Sequence, residues 1–143
     1  MGSIMLATNA GGDARVLHIA ALRRAESSGS DLTVVHVIGG VDYHAQPDRL
    51  REAIRSETRW LIHTMLGLAA DRSGVDPVNV TIHIREGDVA EELIEFASSA
   101  RPDVLLVGVP RARDHSEFTI GSFADLIALL NQADLTVEQI ETA

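Results

Sequence analysis

Val104-Leu105-Leu106-Val107-Gly108, then a polar loop, then Gly121-Ser122-Phe123 is the stretch that decides how this chain folds. Four apolar residues without alternation read as a strand buried on both faces, the pattern of a parallel sheet covered by helices. The loop that follows is rich in Arg, Asp, His and Ser and belongs at the surface. Beyond it, Phe123, Leu126, Ile127 and Leu130 recur at i, i+3, i+4 and i+7, which predicts a helix. The first N–H groups of such a helix have no intrahelical partner. Gly121 leaves room for a ligand to approach them, and Ser122 can cap them or donate a hydroxyl. The junction suits an anion, and a phosphate above all.

Working backward, the same grammar repeats. Ile4 to Thr8 reads as a first strand, Ala10-Gly11-Gly12 as its exit turn and Asp13 as a helix N-cap. Ala14, Leu17, Ala21, Leu22 and Ala25 share a helical face, small enough to lie close to a sheet. The pattern breaks between Ser27 and Ser30 around Gly29. Leu32 to Ile38 is a second, central strand. A loop runs from Gly39-Gly40 through Tyr43, His44 and Pro47. A long helix is predicted from Asp48 to about Ser73, with Leu50, Ala53, Ile54, Leu61 and Leu68 aligned, although Glu57 and Thr64 interrupt that face. Val78 to Ile84 alternates strictly and reads as an edge strand with one solvated face. Asp88 and Glu91 have capping-box spacing ahead of Ala90, Leu93, Ile94 and Ala97. Leu135 to Ile140, carrying Thr136, Glu138 and Gln139, is a weak strand for the other edge. Strands and helices alternate throughout, so right-handed crossovers give an open parallel sheet with helices on both faces.

Length and composition set the outer limits. With 143 residues the chain reads as one domain, 1–143, able to bury about two-thirds of its unfolded surface. Aromatics make up only 3%, so the core must be aliphatic. The absence of Cys excludes disulfides, thiol catalysis and Cys-ligated metal. A net charge of −9 argues against nonspecific binding of nucleic acid or an anionic membrane. All twelve basic residues are Arg, which excludes a Walker lysine and Schiff-base chemistry. No apolar run approaches ~18 residues and no signal-like N-terminus is present, so a cytoplasmic protein is expected.

Gly108-x2-Arg111-x9-Gly121-Ser122 resembles the G-x2-G-x9-G-[S/T] nucleotide motif of the universal stress proteins, with Arg111 at the second glycine. The likeness extends over nearly the whole chain. Met5 to Asn9 is similar to the family's opening strand, Leu32 to Val37 to its second, and Gly87-Asp88 to the segment before its fourth. The resemblance implies a five-stranded Rossmann-like sheet of order 3-2-1-4-5, of the adenine nucleotide α-hydrolase kind. It also implies a stress-response regulator or sensor that binds ATP or another adenine nucleotide, with Mg as a possible companion. By the same likeness the nucleotide meets Ala7, Thr8, Asn9, Val37, Gly108, Arg111, Gly121, Ser122 and Phe123, and two copies pair as a homodimer through the last strand. An unidentified protein partner fits a regulator of this kind.

Several of these positions keep more than one reading. Asn9 stands where the family usually has Asp, so a hydrogen bond is retained but a charge that could help hold a metal is lost. It is equally an ordinary turn residue. Val37 lines an adenine pocket or simply packs. Arg111 binds phosphates, fills their place, or points to solvent. The six histidines form no ligand pattern, and Asp114-His115-Ser116 lacks a G-x-S-x-G elbow. With no placed general base, at most weak ATP hydrolysis is expected. The alternative function is a dimeric interaction module of the same fold that binds no nucleotide.

Overall fold

The computed structural model describes residues 2–8, 14–75, 79–109 and 120–141, with only the backbone of 120–123. In chain order the elements are β1 (Ser3–Ala7), α1 (Ala14–Ser28), β2 (Asp31–Ile38), α2 (Val41–His44), α3 (Asp48–Ser73), β3 (Val80–Glu86), α4 (Val89–Ala100), β4 (Val104–Val109), α5 (Ile120–Gln132) and β5 (Val137–Glu141). All strand pairs are parallel, in the order β3-β2-β1-β4-β5. That is the expected order, with β3 and β5 at the edges.

Strand alternation divides the core into two layers. Ile4, Leu6, Leu32, Val34, Val104 and Leu106 face α1 and α3, where they meet Leu17, Ala21, Leu22, Ile62 and Leu66. Met5, Val35, Leu105 and Val107 face the other way, against Leu93 and Ala97 of α4 and Leu130 of α5. Every strand of the centre is therefore apolar on both sides, which is why β4 reads as an unbroken run. Ala14, Ala21 and Ala25 on α1 are fully buried, so the small face predicted for that helix lies on the sheet.

Four expectations change. The long helix spans Asp48–Ser73 as predicted, but it buries Ile62, Leu66, Ala69 and Ala70. Leu50, Leu61 and Leu68, placed on the buried face from sequence, are exposed. Two apolar stripes compete on this helix, and the one interrupted by Glu57 and Thr64 cannot be buried without desolvating those groups. The loop after β2 contains the short helix α2, whose Tyr43 is buried and donates to the Glu86 carboxylate. β3 runs to Glu86, and its polar side is solvated at Thr81 but partly covered at His83 and Arg85. His83 packs on Phe96 of α4 with ring centroids 4.8 Å apart, and Arg85 pairs with Glu92 and Glu95 at 3.3 and 3.4 Å. Finally, β4 continues to Val109, so Gly108 belongs to the strand instead of opening the loop.

The helix ends follow local chemistry. Asp88 accepts from the Glu91 N–H at 2.9 Å and starts α4, as the sequence spacing predicts. Gly74, at φ 70°, supplies the left-handed residue that ends α3 and donates its N–H to Ala70 O.

Candidate functional site

The sheet order reverses at β1: the chain first winds toward β2 and β3, then crosses back to β4 and β5. Ligands of open α/β sheets bind in the crevice that such a reversal leaves beyond the carboxyl ends of the strands. Here Ala7 of β1 lies beside Val107 of β4 and beside Val35 of β2. Ala7 and Val37 are both half-buried and pack against the layer under α4 and α5. They offer a small aliphatic shelf at the rim of the crevice.

Thr8, the residue at which β1 gives way to the following loop, is held from three directions. Its N–H donates to Val35 O at 3.0 Å, and its carbonyl oxygen accepts from His36 Nδ1 at 2.7 Å. Its hydroxyl shares a buried hydrogen bond of 3.2 Å with Nε2 of His18 on α1. His18 is fully buried, and among the described residues its Nδ1 has no partner. Burial removes water from the charged form and holds the imidazole pKa down to about 4, so His18 is neutral at physiological pH. Thr8, at the carboxyl end of β1, is thus anchored by two histidines.

Gly108 lies on the opposite strand face from Ala7. A Cβ placed there would stand 2.7 Å from Leu17 Cδ1, so the glycine lets α1 sit against the end of β4. α5 starts at Ile120, and Gly121, Ser122 and Phe123 are in its first turn. The first-turn N–H groups have no intrahelical acceptor and present a positive dipole end. Asn9, the expected turn at Ala10-Gly11-Gly12, the expected cap at Asp13 and Arg111 lie outside the described residues. Of the positions marked from sequence, the fold brings Ala7, Thr8 and Gly108 to the carboxyl ends of β1 and β4, with Val37 one strand away.

Sequence reasoning missed His18 and His36 as anchors of Thr8. A signal was present: His18 completes the i, i+3, i+4, i+7, i+8, i+11 series Ala14, Leu17, His18, Ala21, Leu22, Ala25. A second omission is the cluster at the end of β3, where Glu86 meets Tyr43 and, at 3.3 Å, Arg55. It fastens α2 and α3 to the edge strand. Among the described residues no group of three acidic, His or Cys side chains could hold a metal.

The model of the universal stress protein family matches residues 1–137. This chain belongs to that family. Among solved structures, a universal stress protein family protein from Burkholderia pseudomallei is similar at 25% identity and a TM-score of 0.67, over 97% of this chain and 95% of that one. A universal stress protein in complex with cAMP shares 17% identity with a TM-score of 0.65, over 99% of this chain and 98% of the other. The universal stress protein from Archaeoglobus fulgidus in complex with dAMP shares 19% identity with a TM-score of 0.61, over 98% of each chain. No curated protein matches this chain in sequence. The family's sheet is the one observed here, with the same five strands wound around the same reversal. No described helix is long and apolar enough to cross a membrane.

Proposed function

We propose that this universal stress protein domain is a regulatory or sensor module that binds an adenine nucleotide in the crevice between β1 and β4. What supports the reading is that two features suited to such a ligand belong to strands and a helix around the reversal. One is the half-buried aliphatic shelf of Ala7 and Val37, suited to a purine face. The other is the first turn of α5, which includes Gly121 and Ser122 and whose N–H groups suit a phosphate. Relatives of the same fold bind cAMP and dAMP.

The residues fit such a ligand in chemical type. Ala7 and Val37 exclude water from the base, Thr8 fixes the backbone beneath it, and N–H groups receive the anion. A bound nucleotide supplies phosphate charge, and if Mg accompanies it, Asn9 offers an amide oxygen in place of a carboxylate. The chain's own part is binding and the transmission of occupancy. Homodimerisation through β5 belongs to the same proposal. A second reading, an interaction module without nucleotide, is favoured by Arg111 at the motif's second glycine.

Thermal unfolding with AMP, cAMP and ATP, the last with and without Mg, separates the two. At a hundred times Kd a bound nucleotide adds about 2.7 kcal/mol, which raises Tm by about 5–10 °C in a domain of this size. No shift with any of the three leaves the interaction module.

A further inference from the structure

A cavity lies away from the crevice between β1 and β4, between α3 and the first half of β3. Its volume is 660 Å³, within the range of small-molecule sites. Leu22, Leu66 and Ile82 give it an apolar floor, and Arg59, Trp60 and His63 line its exposed side. Trp60 is the chain's single Trp and is 66% exposed.

Two features single this cavity out. Gly67 also lines it, in the interior of α3, where glycine is unfavourable. The position needs no left-handed backbone, and a Cβ there would meet nothing within 4 Å. Neither conformation nor close packing calls for glycine; its effect is to leave the cavity open. Arg59 is the second feature. Its Nη1 donates to Ile82 O at 2.6 Å, which fixes the side chain at the edge of the cavity, and it makes no ion pair among the described residues. One side of its guanidinium is pinned and the rest is free to receive a carboxylate.

We propose that this cavity is a site for a small amphipathic monocarboxylate, its hydrocarbon part on Leu66 and Ile82 beside Trp60 and its carboxylate on Arg59. A single fixed cation calls for a single anion, and the floor calls for an aliphatic or aryl body. An added β-strand is a poorer occupant. Even-numbered residues of β3 turn their backbone groups away from β2, and Arg59 already covers the Ile82 carbonyl on that open edge.

Octanoate, kept below its micellar range, is the probe, and Trp60 emission is the readout. Octanoate should shift the emission saturably while octylamine does not. Arg59→Gln should weaken binding at least tenfold. Gly67→Leu should abolish it by filling the cavity, with a Tm no lower than that of the parent. An equal response to octylamine, unchanged affinity in Arg59→Gln, or binding that survives Gly67→Leu would overturn the proposal. So would emission that follows protein concentration instead of octanoate, which would make this face a contact between copies.

Discussion

Gly108 and Leu17 are fitted to each other: a methyl group on the glycine would lie 2.7 and 3.0 Å from the two Cδ atoms of Leu17. Leu17 is only 3% exposed and is surrounded by the core under α1, so it has little room to retreat. Gly108→Ala should therefore destabilise by about 1–3 kcal/mol, the usual cost of overpacking. On a Leu17→Ala background the same change should cost distinctly less, because the two sites share one volume. Chemical denaturation of the four proteins measures this. Full stability in Gly108→Ala with lost nucleotide binding would instead make the glycine a ligand contact.

His18 predicts a pH dependence. Its folded pKa, about 4, lies below the ordinary 6.5, so between those values the unfolded chain takes up the proton and the folded one does not. Stability from this group is complete above pH 6.5 and is lost as pH falls toward 4. The full effect is of order 3 kcal/mol. His18→Gln keeps a partner for Thr8 Oγ1 but cannot titrate. The difference in unfolding free energy between parent and variant should narrow as pH falls from 7 to 4.5. A constant difference over that range would mean that His18 is not held neutral.

The two stripes of α3 can be told apart by experiment. Leu66→Ala removes a buried side chain and should cost about 2–5 kcal/mol. Leu68, 56% exposed, should tolerate Ala within about 0.5 kcal/mol. Equal losses would show that the outer stripe is also covered, by another chain.

That helix also shows where the sequence ceased to be informative. The alternation of elements and the cap at Asp88 follow from local pattern and were legible, and the strand order was implied by the family resemblance. Which stripe of α3 is buried depends on what lies beneath it, and Leu61 differs from Ile62 only by one step around the helix. His18 falls on the right face by spacing, but its chemistry set it aside from a list of apolar residues. Gly108 satisfied a nucleotide motif while its packing against Leu17, distant in sequence, could not be read from that motif. At the candidate site, resemblance pointed to Ala7 and Val37 and the fold puts them at the ends of neighbouring strands, whereas the hold of His18 and His36 on Thr8 arises only when α1, β1 and β2 meet.

The expected dimer rests on the open edge of β5. Leu105 N–H donates to Thr136 O, so even-numbered residues of β5 bond β4 and Val137, Gln139 and Glu141 turn their backbone groups outward. Leu135 and Val137 are already engaged with the layer under α5, and Ile140 with that under α1, so pairing would draw mainly on backbone. Gln139→Pro deletes an outward N–H without touching the ladder to β4. Light scattering should move from about 31 kDa, twice the chain mass of 15.4 kDa, to the monomer. A parent already monomeric at micromolar concentration would rule out the β5 dimer.

Arg111 decides how the nucleotide reading ends. It replaces the second glycine of the family motif, in a chain that has no Lys and carries a net charge of −9. Phosphates approaching such a protein meet a repulsive field, and a guanidinium within the motif is the residue type that offsets it. Arg111→Gly should therefore weaken ATP binding by about 1.5–3 kcal/mol, the range for hydrogen bonds to a charged group. Adenosine, which has no phosphate, should bind both proteins alike. Calorimetry with the two ligands distinguishes the alternatives. Tighter ATP binding by the glycine variant would show that the side chain obstructs the phosphates, and silence from both proteins would leave a module that works without nucleotide.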